Sequence, residues 1–106
     1  MIKPVSICLA LMAISAGAPG QAQPDGDVER GRQLATRYCE ECHDITASGP
    51  AKVHPPSFSR IAGFRPTEQI RARIWFAPYH ASMPVFAEIL FPNDVEDLVA
   101  YIQSLE

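Results

Sequence analysis

Lysine occurs only twice in this chain of 106 residues, at Lys3 and Lys52, and the formal net charge is −3. Proteins that bind nucleic acid concentrate Lys and Arg on one face, so this balance argues against a nucleic-acid partner. Glycine is scarce too, with 6 positions. Neither the G-x-G-x-x-G dinucleotide fingerprint nor the G-x-x-x-x-G-K phosphate loop occurs, and the chain is too short for the enzymes that carry them. No apolar run approaches the roughly 20 residues that a membrane-spanning helix needs. The longest run extends from Val5 to Ile14, broken only by Ser6. The length allows one domain and one core.

What that apolar run does instead follows from its flanks. Lys3 precedes it, and small or turn-forming residues follow: Ser15, Ala16, Gly17, Ala18, Pro19 and Gly20. A positive start, a short apolar stretch and a small-residue site describe a secretory signal peptide. Gly20 and Ala22 stand at the −3 and −1 positions, which places cleavage after Ala22. The division is therefore residues 1–22 as leader and residues 23–106 as the folded domain. No stable membrane insertion is expected, and the periplasm is the expected compartment. Removing the leader takes away Cys8, Met1 and Met12 and leaves two cysteines and a single methionine, Met83. An exported domain of this size needs a staple beyond its own core. A disulfide across so short a loop would constrain little.

The staple is written in Cys39-Glu40-Glu41-Cys42-His43. Cys-x-x-Cys-His is the attachment signature of c-type haem. Residues at i and i+3 share a helix face, so both thiols reach the two vinyl groups on one porphyrin edge. The next residue, His43, then offers its imidazole to the iron as proximal ligand. The chain's own frequencies give only about 0.002 chance matches. Two other readings compete. A thioredoxin-like redox pair shares Cys-x-x-Cys but belongs beside a βαβ pattern, and no such strands are evident. A zinc site would need further ligands, for which His54 and His80 lack the usual spacing.

An electron-carrying haem iron takes a sixth ligand, and Met83 in Ser82-Met83-Pro84 offers a soft thioether for it. His80, three residues earlier, and His54 are the competing ligands.

These motifs resemble the class I cytochromes c, over about Asp27 to Leu105. In that family a glycine stands eight residues before the first cysteine, as Gly31 does here. A Pro-x-(Leu or Phe) element follows the haem motif, and Pro56-Ser57-Phe58 looks like it, with Gly49-Pro50 as the rival placement. The resemblance implies that Pro56 accepts a hydrogen bond from the proximal histidine through its carbonyl, and that Phe58 contacts the haem. It implies an all-α fold with three or more helices around one covalently attached haem c and its iron. Leu98 and Tyr101 match the positions that pack near the conserved-type glycine on the first helix. The bulky aromatic that the family places four residues after that glycine is Ala35 here, so Leu34 or Tyr38 must fill the space. The lysine ring of the mitochondrial-type members is missing. Implied partners are redox proteins: a periplasmic dehydrogenase, oxidase or reductase. The implied role is a one-electron carrier, free or as the haem subunit of a dehydrogenase, with no catalytic residues. A gas sensor or peroxidase is the alternative if Met83 does not hold the sixth position.

Periodicity supports a helical shell independently. Val28, Gly31, Leu34, Ala35 and Tyr38 recur at helical spacing behind Asp27 as N-cap. A second segment runs from Thr67, its expected cap, to about Phe76, with Ile70 and Ile74 one turn apart. A third, Asp94 to Leu105, carries the stripe Val95, Leu98, Val99, Ile102 and Leu105, and Asn93 with Glu96 reads as a capping box. Asp44 to Phe64, with its prolines, reads as loop. Trp75, Phe76 and Tyr79 are expected as walls of the haem pocket. Arg60, Arg65, Arg71 and Arg73 are expected mostly at the solvated surface, with the haem propionates as other partners.

Overall fold

The computed structural model describes residues 1–4, 14, 17, 26–49 and 53–106. Most of the expected leader, and Pro50 of the rival Gly49-Pro50 element, lie outside the described residues. Among the described residues there are four α-helices and no strand: α1 Val28–Tyr38, α2 Phe58–Phe64, α3 Thr67–Trp75 and α4 Pro92–Gln103. A 3₁₀ turn, Phe86–Glu88, lies between α3 and α4. No helix among them is long and apolar enough to cross a membrane.

The first helix starts where the sequence says it should. The Asp27 carboxylate accepts the Arg30 N–H at 2.9 Å, satisfying one of the N–H groups that open a helix. The buried residues of α1 are Gly31 and Ala35. They face α4, whose stripe of Val95, Leu98, Val99 and Ile102 forms the centre of the core. The crossing is close: a Cβ on Gly31 would stand 2.0 Å from the Asp97 carbonyl oxygen and 2.7 Å from Tyr101 Cβ. Glycine in a helix interior costs about 1 kcal/mol against alanine. Here it admits a second backbone, and the packing of two helices offsets that cost. Ala35 continues the same face, fully buried, while Leu34 and Tyr38 pack half-buried against the core beside it.

Polar contacts fix the crossing. Arg30 pairs with Asp94 at 2.8 Å and Asp97 at 3.1 Å, and the Asp27 N–H donates to Asp97 at 2.8 Å. Both carboxylates are largely buried, so each needs such a partner to remain charged there. Arg30 and the Phe91 N–H together hold the Asp94 carboxyl below the usual carboxylate range.

Three boundaries differ from the expectation. Helix α4 begins at Pro92, a good first helical residue because its missing N–H is unneeded there. It is Asp94 that reaches back to the Phe91 N–H, at 3.0 Å, while Glu96 is occupied with Arg71 at 2.5 Å. Thr67 is the first residue of α3 and not its cap; its hydroxyl accepts from the Gln103 amide on α4. The stretch read as loop contains α2. Pro55 and Pro56 end just before Ser57, whose hydroxyl caps the helix at Arg60 N–H, 3.3 Å away, and Phe58 and Ala62 then share a buried face.

Candidate cofactor site

Helix α1 delivers the Cys-x-x-Cys-His segment directly. The Cys39 N–H closes the last turn on Ala35, and Cys42 and His43 both donate back to the Cys39 carbonyl, at 3.2 and 2.9 Å. These turns place the two thiols on one short arc and end with the imidazole. Cys39 is half-buried and Cys42 exposed. Burial pushes the Cys39 thiol up to about 11. Reactive thiols in redox pairs have the opposite perturbation, a lowered pKa in an electropositive setting, so the thioredoxin-like reading loses its physical basis. Among the described residues no three His, Cys, Asp or Glu side chains gather as a bare metal ion would need.

His43 is held from behind. Its Nδ1–H donates to the Pro56 carbonyl at 2.6 Å. In the neutral imidazole that bond puts the proton on Nδ1, so Nε2, on the other side of the ring, is the nitrogen available to a metal. The Phe58 ring lies 5.5 Å from the imidazole, centroid to centroid, and is itself buried against Tyr101 at 6.3 Å. Tyr101 donates its hydroxyl hydrogen to the Ile45 carbonyl at 2.6 Å, in the interior. The Phe58 N–H adds a bond to the Asp44 carbonyl at 2.8 Å. The three residues that follow the cysteines are therefore braced by α2 and α4 at once.

Met83 faces a small apolar cavity lined by Cys39, Ile74, Met83, Phe86, Leu90 and Leu98. The first cysteine of the motif and the lone late methionine, 44 positions apart in sequence, thus share one wall. Behind this wall Tyr38 and Phe86 pack edge to face, with ring centroids 6.2 Å apart. The walls are not the aromatics expected. Trp75 is half-buried against the core, but Phe76 and Tyr79 are exposed at 71% and 99%. Ile74, Phe86 and Leu90 serve in their place; helical spacing marked Ile74 as buried, while nothing local in the sequence marked Phe86 or Leu90. Neither His80 nor His54 lines this cavity; both are exposed. His54 instead lines a separate groove with Pro56, Arg60 and Arg65. Of the four arginines, Arg71 is committed to Glu96 and Glu68.

The donor set fits a covalently held haem: two thiols on one arc, an imidazole with its distal nitrogen free, and a thioether in an apolar wall. Residues 26–102 match the family model described as "Cytochrome C oxidase, cbb3-type, subunit III". The chain belongs to this cytochrome c family. A curated relative, cytochrome c-552 of Bradyrhizobium diazoefficiens, is 32% identical over 101 residues, which cover 93% of this chain and 91% of the relative. The chain is thus a small monohaem cytochrome c of class I type with an all-α fold. Membership brings covalent haem c and its iron, with the Cys39 and Cys42 spacing to match, and the role of electron carrier to redox partners.

Proposed function

We propose that this cytochrome carries one electron in the periplasm on a haem attached to Cys39 and Cys42, with His43 and Met83 as its axial ligands. The hydrogen bond from His43 Nδ1 to the Pro56 carbonyl carries the reading, because it orients the imidazole and fixes the tautomer that ligates. When bound, haem c supplies a one-electron ferric/ferrous couple. The chain's own residues do the rest. Pro56 and Phe58 hold His43 in place, and Ile74, Phe86, Leu90 and Leu98 exclude water around the Met83 sulfur. A dry, low-dielectric wall and a thioether ligand both favour the reduced state. Two strong axial ligands leave no open position for oxygen or peroxide, so the protein transfers electrons and does not activate substrates. Its partners are a periplasmic dehydrogenase, oxidase or reductase, met as a free carrier or as the haem subunit of the dehydrogenase.

Two measurements test the assignment. Haem staining after denaturing electrophoresis should persist in the wild-type protein and vanish in C39S/C42S. Reduced wild-type protein should bind carbon monoxide poorly, and Met83→Ala should bind it readily. Ready binding by the wild type would overturn the Met83 assignment in favour of a gas sensor or peroxidase.

A further inference from the structure

The charges of this cytochrome are unevenly placed. No Lys or Arg occurs between Tyr38 and Ala51, nor anywhere from Ile74 to the C-terminus. Those two stretches are the ones that meet at the cavity shared by Cys39 and Met83. Arginines sit on the other elements, and several are neutralised there: Arg30 by Asp94 and Asp97, Arg32 by Glu29, Arg71 by Glu68 and Glu96. In contrast, Glu40, Glu41 and Glu88 are exposed and make no ion pair among the described residues. Glu40 and Glu41 lie between the two haem-bearing cysteines. The nearest cation in sequence, Arg37, lies over the Tyr38 ring at 5.3 Å.

Around Glu88 the surface is apolar, and this stretch shares a cavity wall with Cys39, the residue before Glu40. Phe86 and Leu90 turn inward to the cavity, which leaves their neighbours Val85 and Ile89 outward, each about half exposed, and Phe91 exposed at 75% at the start of α4. Exposed apolar side chains rimmed by charge of one sign have the composition of a protein-docking face, where the apolar centre supplies contact and the rim supplies steering.

We propose that the redox partner docks on the face formed by residues 39–42 and 85–91, and that it presents a cationic rim around an apolar centre. This rests on the electron-carrier reading and names the partner's chemistry. An acidic carrier face attracts a basic partner at long range, and the attraction weakens with salt as charges are screened. The same face repels the acidic docking surfaces that suit lysine-rich carriers.

Voltammetry of the haem-loaded protein on gold electrodes coated with ammonium-terminated or carboxylate-terminated monolayers tests this, since each coating stands in for a partner surface of known charge. The expected result is fast electron exchange on the ammonium surface, falling as salt is added, and slow exchange on the carboxylate surface. E40Q/E41Q should slow exchange on ammonium by roughly three- to tenfold. E68Q/E106Q, which removes the same charge elsewhere, should leave it nearly unchanged. Glu88→Gln gives an independent, smaller loss should E40Q/E41Q load haem poorly. Faster exchange on carboxylate, or equal losses in the two double variants, overturns the proposal. So does a dimer formed through this face in sedimentation equilibrium, or binding to anionic vesicles. A small neutral mediator separates the two readings: if it cannot reduce and reoxidise the protein, the carrier reading itself fails.

Discussion

His43 and Pro56 are joined at 2.6 Å, the ring Nδ1–H donating to the carbonyl oxygen, across 13 residues of chain. The bond does two things at once: it fixes which nitrogen faces away, and it pushes electron density into the ring. Pro56→Ala, by loosening the carbonyl, should make the imidazole a poorer donor and raise the reduction potential. A spectroelectrochemical titration of both proteins measures the shift. An unchanged or lower potential would show that the carbonyl does not tune the ligand.

Gly31 lies where α4 passes closest to α1. A side chain there must displace the Asp97 carbonyl or Tyr101, with nothing flexible in the way to yield first. Gly31→Val is expected to cost about 1–3 kcal/mol or more, the range for overpacking a tight core. The denaturation midpoint followed by far-ultraviolet circular dichroism reads it directly.

Tyr101 carries a buried hydroxyl that donates to the Ile45 carbonyl. Tyr101→Phe keeps the ring against Phe58 but leaves that carbonyl without its donor. The loss should be about 1–3 kcal/mol, the cost of an unsatisfied buried group. Because Ile45 follows His43 by two residues, the variant should also broaden the resonances of the His43 ring in the NMR spectrum.

Acid should unfold this protein through its clasp. Arg30 holds the Asp94 carboxyl below its ordinary value, and Arg71 does the same for Glu96. A carboxyl with a lowered folded-state pKa contributes stability that is complete above its unfolded value, about 4, and lost as pH falls through the folded one. Stability should therefore be flat near neutrality and decline below about pH 4. Asp94→Asn should be less stable at neutral pH and show a shallower acid decline. Denaturant titrations at several pH values check both slopes.

The haem motif and the outer helices were legible because each rests on local spacing. Cys39, Cys42 and His43 need only consecutive turns, and α1 and α4 announce themselves by apolar residues at three and four. Gly31 was legible for a related reason, since a costly glycine inside a helix implies a neighbour. Helix α2 was hidden because Pro55 and Pro56 signal a break, whereas the break ends one residue before Ser57 begins the helix. The capping roles of Thr67 and Asn93 failed because tertiary partners on other helices, Gln103 for one and Arg71 for the other's expected mate Glu96, decided where those side chains went. The cavity walls failed for the same reason: Phe86 and Leu90 turn inward because of where the 3₁₀ turn meets α3, a contact that no local pattern encodes.

The clasp between α1 and α4 also sets the order in which the protein can become itself. Asp27 meets Asp97 across 70 residues, and Arg30 meets Asp94 across 64. Such contacts carry the full loop-closure entropy of the intervening chain before they return any energy. Until α4 docks, the chain holds the Cys-x-x-Cys-His segment in the open, with neither Tyr101 nor the closing helix to brace it. That interval leaves both thiols reachable by whatever machinery attaches the haem. A chain cut short before Pro92 would stay in it permanently.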